Sequence, residues 1–267
     1  MNIVKIKKWS DLNDALFSDT WNPAIKRFRS TFAYRGVNVH DYPLSNGLMR
    51  LGKPYDKLEE NLIKQFKKYA HDNVAERDTE WHWVSIAQHH GLPTRLLDWT
   101  YSPFVALHFA TSSVSDFGKD AAVWKVNYSE AHNLLQANQR KILDKFGSRI
   151  FSIDALAKSI KNLNALSALR APSFDVAVFF EPPAIDERII NQFAYFSALS
   201  DPYLSMDDWF RMPHVKGRVS ITKIVIPAKL KWEIRDKLDQ SNINERVLKR
   251  GLDGLCDWLK RHYTPVP

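Results

Sequence analysis

Cysteine is almost missing: Cys256 is the single one in 267 residues, which excludes an intrachain disulfide and a cysteine-based zinc site. Glycine is scarce too, at nine residues, and none has the spacing of a dinucleotide fingerprint or a P-loop. No apolar run approaches the ~20 residues of a membrane span, and the start, MNIVKIKKW, has no apolar stretch long enough for a secretory signal. Internal repeats and low-complexity tracts are also lacking. The expectation is a soluble, cytoplasmic protein without a membrane partner. Acidic side chains are the minority charge, 30 Asp and Glu against 38 Lys and Arg, for a formal net charge of +8. That balance favours acidic partners such as nucleic acid, an anionic surface or a phosphorylated small molecule, although an ordinary basic protein carries the same sign.

What is present is apolar and aromatic. A 45% hydrophobic content with nine Trp is far from a disordered composition and suffices for one large core or two modest ones. Along the chain, residues 9–28 read as a helix with Ser10 as N-cap. Residues 32–37 (FAYRGV) read as a short strand ending at a turn, with Gly36 admitting a close backbone approach. Residues 42–52 are loop, 54–72 a charged amphipathic helix, and 80–90 another helix stopped by Gly91 and Pro93. Leu96-Leu97-Asp98 suggests a short strand, and Ser102-Pro103 opens a helix as N-cap and first helical residue. Residues 121–126 (AAVWKV) and 175–180 (DVAVFF) read as buried strands. The stretch between, about 128–172, is helical and poor in chemical cues, as an inserted helical subdomain would be. Residues 186–199 fit helix and strand equally. Residues 219–227 form a strand, and 229–240 and 246–262 helices. Few, short strands interleaved with helices favour a mixed α+β domain over a doubly wound sheet.

The densest chemistry lies in residues 81–110, WHWVSIAQHHGLPTRLLDWTYSPFVALHFA. Apolar ends enclose His89, His90, Arg95, Asp98, Thr100 and Ser102, and buried polar groups must bond to each other or to a ligand. This segment reads as one wall of a ligand site whose other part is Tyr34-Arg35-Gly36. Arg35, at a strand end, suits a phosphate or pyrophosphate because its planar fork donates paired hydrogen bonds; an isolated Arg is otherwise structural. Thr94, Asp98, Thr100 and Ser102 precede a helix whose free amides favour an anion, or they simply cap it. His89 and His90 point about 100° apart on a helix, an awkward pair for one metal even with Asp98. Ser102 lacks the surroundings of a nucleophile elbow. A second polar cluster, Glu181, Asp186, Glu187, Arg188 and Gln192, follows the strand at 175–180.

YRG at 34–36, YPL at 42–44, QHHGLPTRLLDWTYSPFVALHFA at 88–110, the RI..Q run at 188–192 and GLDGLCDWL at 251–259 together resemble the FRG domain, named for its Phe-Arg-Gly motif. The resemblance spans most of the chain as a single domain, 1–267. Tyr34 stands for the family's Phe, Phe193-Ala194-Tyr195-Phe196 for a segment that usually shows Gly before Phe, and Val247-Leu248-Lys249-Arg250 for a Phe-Pro-Asp step. Tyr-Arg-Gly and Asp98-Trp99-Thr100-Tyr101-Ser102 also resemble the NAD-binding motif and the Ser-Thr-Ser motif of ADP-ribosyltransferases.

That second resemblance implies an ADP-ribosyltransferase-like mixed sheet core with surrounding helices and NAD as the cofactor consumed. Arg35, Thr100 and Ser102 take catalytic places, with either Glu181 or Glu187 as the acid. Tyr34, Arg35, Gly36, His90, Asp98, Tyr101 and Gln192 hold NAD, and no metal is required. Cleavage of the nicotinamide–ribose bond passes through an oxocarbenium-like state that a carboxylate stabilises. The FRG resemblance implies a toxin-like role in prokaryotic anti-phage defence with a neutralising antitoxin protein, and the charge points to RNA as acceptor. Two other classes fit the residues: a non-catalytic nucleic-acid-binding or ligand-sensing module, and a metal-dependent nuclease using His89, His90 and Asp98.

Overall fold

The alternation of side chains along the strands governs the architecture. A computed structural model describes residues 1–52, 55–70, 79–184, 187–249 and 251–265. In chain order it begins with β1 (Asn2–Lys5), α1 (Trp9–Phe17), the hairpin β2 (Trp21–Asn22) and β3 (Arg27–Phe28), then β4 (Phe32–Val37), α2 (Tyr55–Ala70), α3 (Glu80–His89), β5 (Leu97–Thr100) and α4 (Pro103–Ala110). There follow β6 (Ala121–Asn127), α5 (Tyr128–His132), α6 (Ala137–Lys145), β7 (Phe151–Ser152), α7 (Ile153–Ser159), α8 (Leu163–Ser167), β8 (Ala177–Glu181) and α9 (Glu187–Asn191). The chain closes with β9 (Ala194–Leu199), α10 (Met206–Trp209), β10 (Ile221–Ile226), α11 (Lys231–Gln240), α12 (Glu245–Leu248) and α13 (Leu252–His262).

Among the described residues, eight strands form one sheet in the order β1-β10-β6-β4-β5-β9-β8-β7. Its inner pairings are antiparallel, and the outermost pairs, β1 with β10 and β7 with β8, are parallel. A mixed sheet ringed by helices is the α+β class expected. No described helix is long and apolar enough to cross a membrane.

Successive strand residues point to opposite faces, and the two faces are filled differently. On one face a single core runs across six strands: Ala33 and Val37 of β4, Leu97 and Trp99 of β5, Trp124 of β6, Phe179 of β8, Tyr195 of β9 and Ile221 of β10, covered by Met206, Trp209 and Phe210. On the other face the core is divided. Phe32, Tyr34, Val123 and Ile224 pack under α1, α4 and α11. Val178, Phe180, Phe196 and Ala198 pack under α3 and α7. The division falls between β4 and β5, which share a single register pair, Tyr34 with Thr100.

Several local readings need correction. Residues 9–28 are not one helix: Ser18 ends α1, Asp19 adopts φ 58°, and a hairpin follows. Ser10 lies inside α1, whose preceding residue is Lys8, and Asp11 accepts from Lys7 N at 3.1 Å. The ambiguity at 186–199 resolves into α9 and β9, split by Phe193 at φ 51°, and Asp186 lies outside the described residues, as do positions 54, 71 and 72 of the helix expected at 54–72. The helix expected at 246–262 breaks at Gly251, φ 95°. Residues 128–172 are largely helical but include β7, which joins the sheet edge beside β8. His132 fastens this segment: Phe179 N donates to its Nε2 at 2.9 Å, so the ring's Nδ1 donates to Arg149 O at 3.0 Å. Burial lowers the His132 pKa to about 4, and the ring is neutral.

Arg95 turns out to be structural. Glu59 of α2 accepts its backbone N–H at 2.8 Å and its Nε–H at 2.6 Å, while Nη1 donates to Ser167 of α8 at 2.8 Å. Both charged side chains are at most 5% exposed. Removing one member of such a pair strands the other. Glu59→Ala is therefore expected to cost about 3–5 kcal/mol, read as a fall in Tm of about 10 °C by calorimetry.

Candidate functional site

The gap between the divided cores is a cavity of about 770 Å³, within the usual size for a small-molecule site. Its walls come from β4 (Arg35, Gly36), α3 and its end (Gln88, His89, His90), β5 (Asp98, Thr100), α4 (Phe109) and the α9–β9 region (Arg188, Gln192, Phe196). Pairing of β4 and β5 stops after Tyr34 and Thr100, so the Asp98 carbonyl lacks a ladder partner there. Arg35, which alternation sets on the face of Ala33 and Val37, supplies one by reaching into the gap: its Nη1 donates to Asp98 O at 2.5 Å. The same nitrogen lies 3.9 Å from the Asp98 carboxylate. Burial lowers the Arg35 pKa, opposed by Asp98 and reinforced by Arg50. Its Nε is buried with no protein partner, while the rest of the guanidinium, part of a side chain 21% exposed, lines the cavity.

Asp98 is held from the other side. Gln88 Nε2 donates to both carboxylate oxygens at 3.2 and 3.1 Å, and Gln88 Oε1 accepts from Thr94 Oγ1 at 2.7 Å. Thr100 Oγ1 accepts the Ser102 N–H at 3.0 Å, leaving its own proton to donate. Gln192 donates Nε2 to Leu248 O at 3.0 Å, and Asn191 Nδ2 donates to Val247 O at 3.2 Å. The two amides thereby bind the end of α12 to α9. His90 follows α3 and lines the cavity with His89, their rings 5.2 Å apart. Among the described residues no three His, Cys, Asp or Glu side chains are grouped to hold a metal ion, so His89, His90 and Asp98 do not make the nuclease centre considered above.

Arg35, Gly36, His90, Asp98, Thr100 and Gln192 are thus brought together, though not always in the expected role. Gly36 serves a helix before any ligand: a Cβ there would lie 1.9 Å from Ala106 O and 2.5 Å from Ala110 N, so its hydrogen lets α4 lie against β4. Tyr34 reaches the cavity wall but is 1% exposed, packed in the core with its hydroxyl donating to Leu16 O at 3.0 Å. It offers no open aromatic face, and burial raises its pKa to about 12. Ser102 caps α4 by accepting Val105 N–H at 3.4 Å and does not line the cavity.

Tyr101 and Glu181 belong to the opposite face. The Tyr101 ring lies 4.9 Å from Phe193 and 5.5 Å from Tyr195. Glu181 shares the face of Phe179 by alternation, and burial raises its pKa. Glu187 opens α9 exposed to solvent, next to Arg188, and is not in the cavity wall. Among the described residues, the carboxylate that lines the cavity is Asp98. Sequence reading did not single out Gln88 and Asn38 as lining residues. Gln88 is the penultimate residue of α3, within the motif at 88–110, and was the legible one.

A second cavity of about 640 Å³ adjoins the first, sharing Phe109, Ser112, Arg188 and Gln192 with it. Its far wall is the C-terminal hairpin, where α13 crosses α12 so closely that a Cβ on Gly254 would lie 1.6 Å from Lys249 O. A buried charge network fixes that hairpin. Glu245 takes Arg261 Nε at 2.7 Å and Arg235 Nη2 at 3.1 Å, and Asp239 takes Arg261 Nη2 at 2.7 Å. Arg235 Nη1 donates to His108 Nδ1 at 2.9 Å. Burial, with Arg235 beside it, lowers the His108 pKa to about 3.

The family model of the FRG domain matches residues 30–119. The match takes in β4, α2, α3, β5 and α4, the elements that supply most of the first cavity's wall, and bears out the resemblance read in those residues. The motifs at 188–192 and 251–259 lie outside it. No curated protein and no solved structure gives a significant match.

Two outcomes follow. Gly36→Ala drives a methyl into the α4 backbone and is expected to cost about 1–3 kcal/mol or more, seen in thermal melts together with loss of any ligand-induced Tm rise. Burial pushes the Glu245 pKa up, but Arg261 and Arg235 outweigh it and bring it from 4.5 to about 2. A depressed acid stabilises the fold above its unfolded pKa and ceases to as pH falls through its folded one. Denaturant titrations should therefore show stability falling between about pH 4.5 and pH 2, and Glu245→Gln should remove that part of the slope.

Proposed function

We propose that the protein is an NAD-dependent mono-ADP-ribosyltransferase whose acceptor is nucleic acid, RNA in particular. One observation carries the reading: the Arg35 guanidinium lines a cavity between two strands that have parted, held in place through Nη1 by the Asp98 carbonyl. A fixed guanidinium in a cavity wall suits an anion with paired oxygens, and the diphosphate of NAD is one. The Thr100 hydroxyl and the Gln192 amide oxygen are available for ribose hydroxyls. His90 and Phe109 flank the space. Asp98, held by Gln88, is the carboxylate placed to stabilise positive charge developing on ribose. It takes the part first assigned to Glu181 or Glu187.

NAD supplies the activated bond, nicotinamide to ribose, whose cleavage leaves an electrophilic sugar. The protein's task is to anchor the diphosphate, orient the sugar and limit water. The net charge of +8 favours a polyanionic acceptor. A toxin-like role in anti-phage defence, with a neutralising antitoxin protein, is the setting the FRG resemblance implies. A second reading, a nucleotide-sensing module without catalysis, is favoured by the placement of Glu181 and Glu187 outside the cavity wall.

Purified protein incubated with adenylate-labelled NAD and total cellular RNA should transfer label to RNA, and Arg35→Ala should abolish transfer. Losing a charged hydrogen-bond donor costs about 1.5–3 kcal/mol, so calorimetry should show NAD binding weakened roughly tenfold to a hundredfold. NAD binding with no transfer to RNA or protein supports the sensing module. Unchanged transfer by a folded Arg35→Ala protein would sink the assignment.

A further inference from the structure

The second cavity has no part in holding the dinucleotide as described above, yet it opens onto the same space. Its two carboxylates are already engaged: Glu245 by Arg235 and Arg261, and Asp257 by Lys249 at 2.9 Å. Two of its cations are not. The Arg188 guanidinium of α9 and the Lys260 ammonium of α13 have no ion-pair or hydrogen-bond partner among the described residues. The lining therefore presents net positive charge after its internal pairs are counted. An Arg and a Lys whose cationic ends are unengaged in one groove are the chemistry of phosphate capture.

Position decides which phosphate. Arg188 and Gln192 border both cavities, so a molecule lying in the second ends against whatever fills the first. We infer that the second cavity is the acceptor groove, binding the phosphate backbone of a single-stranded RNA through Arg188 and Lys260 and directing its reactive group toward the Arg35–Asp98 cavity. The inference rests on the transferase reading for its direction, and on the groove's own cations for its ligand. The rigidity of the groove wall comes from the Glu245 network and from the Asn191 and Gln192 amides on α12.

The test measures binding of a short fluorescein-labelled single-stranded RNA by anisotropy over a range of salt concentrations, and NAD binding by calorimetry. The proteins are the parent, Arg188→Ala, Lys260→Ala and Lys145→Ala, the last an exposed α6 cation remote in sequence from the groove. Lys260 is exposed, so its truncation leaves the fold intact. Each groove variant should weaken RNA binding about tenfold and flatten the log K against log salt slope by about 0.7. Lys145→Ala should change neither, and Lys260→Ala should leave NAD affinity at the parent value. RNA lost with Lys260→Ala in a protein that binds no NAD at all upholds the groove and removes the transferase reading. RNA binding unchanged in both groove variants overturns the inference. So does a Lys260→Ala protein that loses NAD affinity as much as RNA, which would make the groove part of the dinucleotide site. An acidic peptide bound in the groove in preference to RNA overturns it too.

Discussion

The interaction on which the site depends is the hydrogen bond from Arg35 to the Asp98 carbonyl. Neighbouring antiparallel strands normally satisfy each other's backbone groups. Here β4 and β5 meet at one register pair and then part, and a side chain does what the ladder would have done. The parted strands leave a half-buried cation lining the space between them. They also split the core on one face into two halves while the other face stays continuous. The continuous face holds the sheet together so that the divided face can open into a cavity.

The surroundings make that gap rigid. Gly36 lets α4 press directly on β4, and Gln88 donates to both oxygens of the Asp98 carboxylate. The Glu59–Arg95 pair locks the loop that leads into β5. On the open side the C-terminal hairpin depends on charges rather than on apolar area: Arg235, Glu245, Asp239 and Arg261 come from α11, α12 and α13 and meet in one network. A wall of that kind is sensitive to protonation, and it borders both cavities through the amides of α9.

Much of this was legible in the sequence where the signal was local. The Ser102-Pro103 helix start, the Gly91 stop and the strand at 32–37 follow from residue types with fixed backbone uses. The polar density of residues 81–110 marked the site, because polar groups between apolar ends need partners. What was not legible depended on distance. Arg95 meets Glu59 from 36 positions away, so a structural ion pair looked like part of a ligand wall. Glu181 and Glu187 follow an apolar strand, but strand alternation put Glu181 on the other face, a parity that no local pattern fixed. Gly36 was correctly read as a close approach, but the approaching backbone is α4. The hairpin at 21–28 was hidden because Leu12, Leu16 and Phe17 extend a helical period that Asp19 breaks with a left-handed backbone.

The most direct measurement follows the Arg35 Nε–H resonance by nitrogen–proton NMR while NAD is added. The free donor is buried and unbonded to protein. If the parted strands hold a dinucleotide, that signal shifts in step with saturation and its exchange with solvent slows, while the Arg95 Nε–H signal stays in place. An Arg35 signal that does not move while NAD binds elsewhere, or when NAD does not bind at all, contradicts the account.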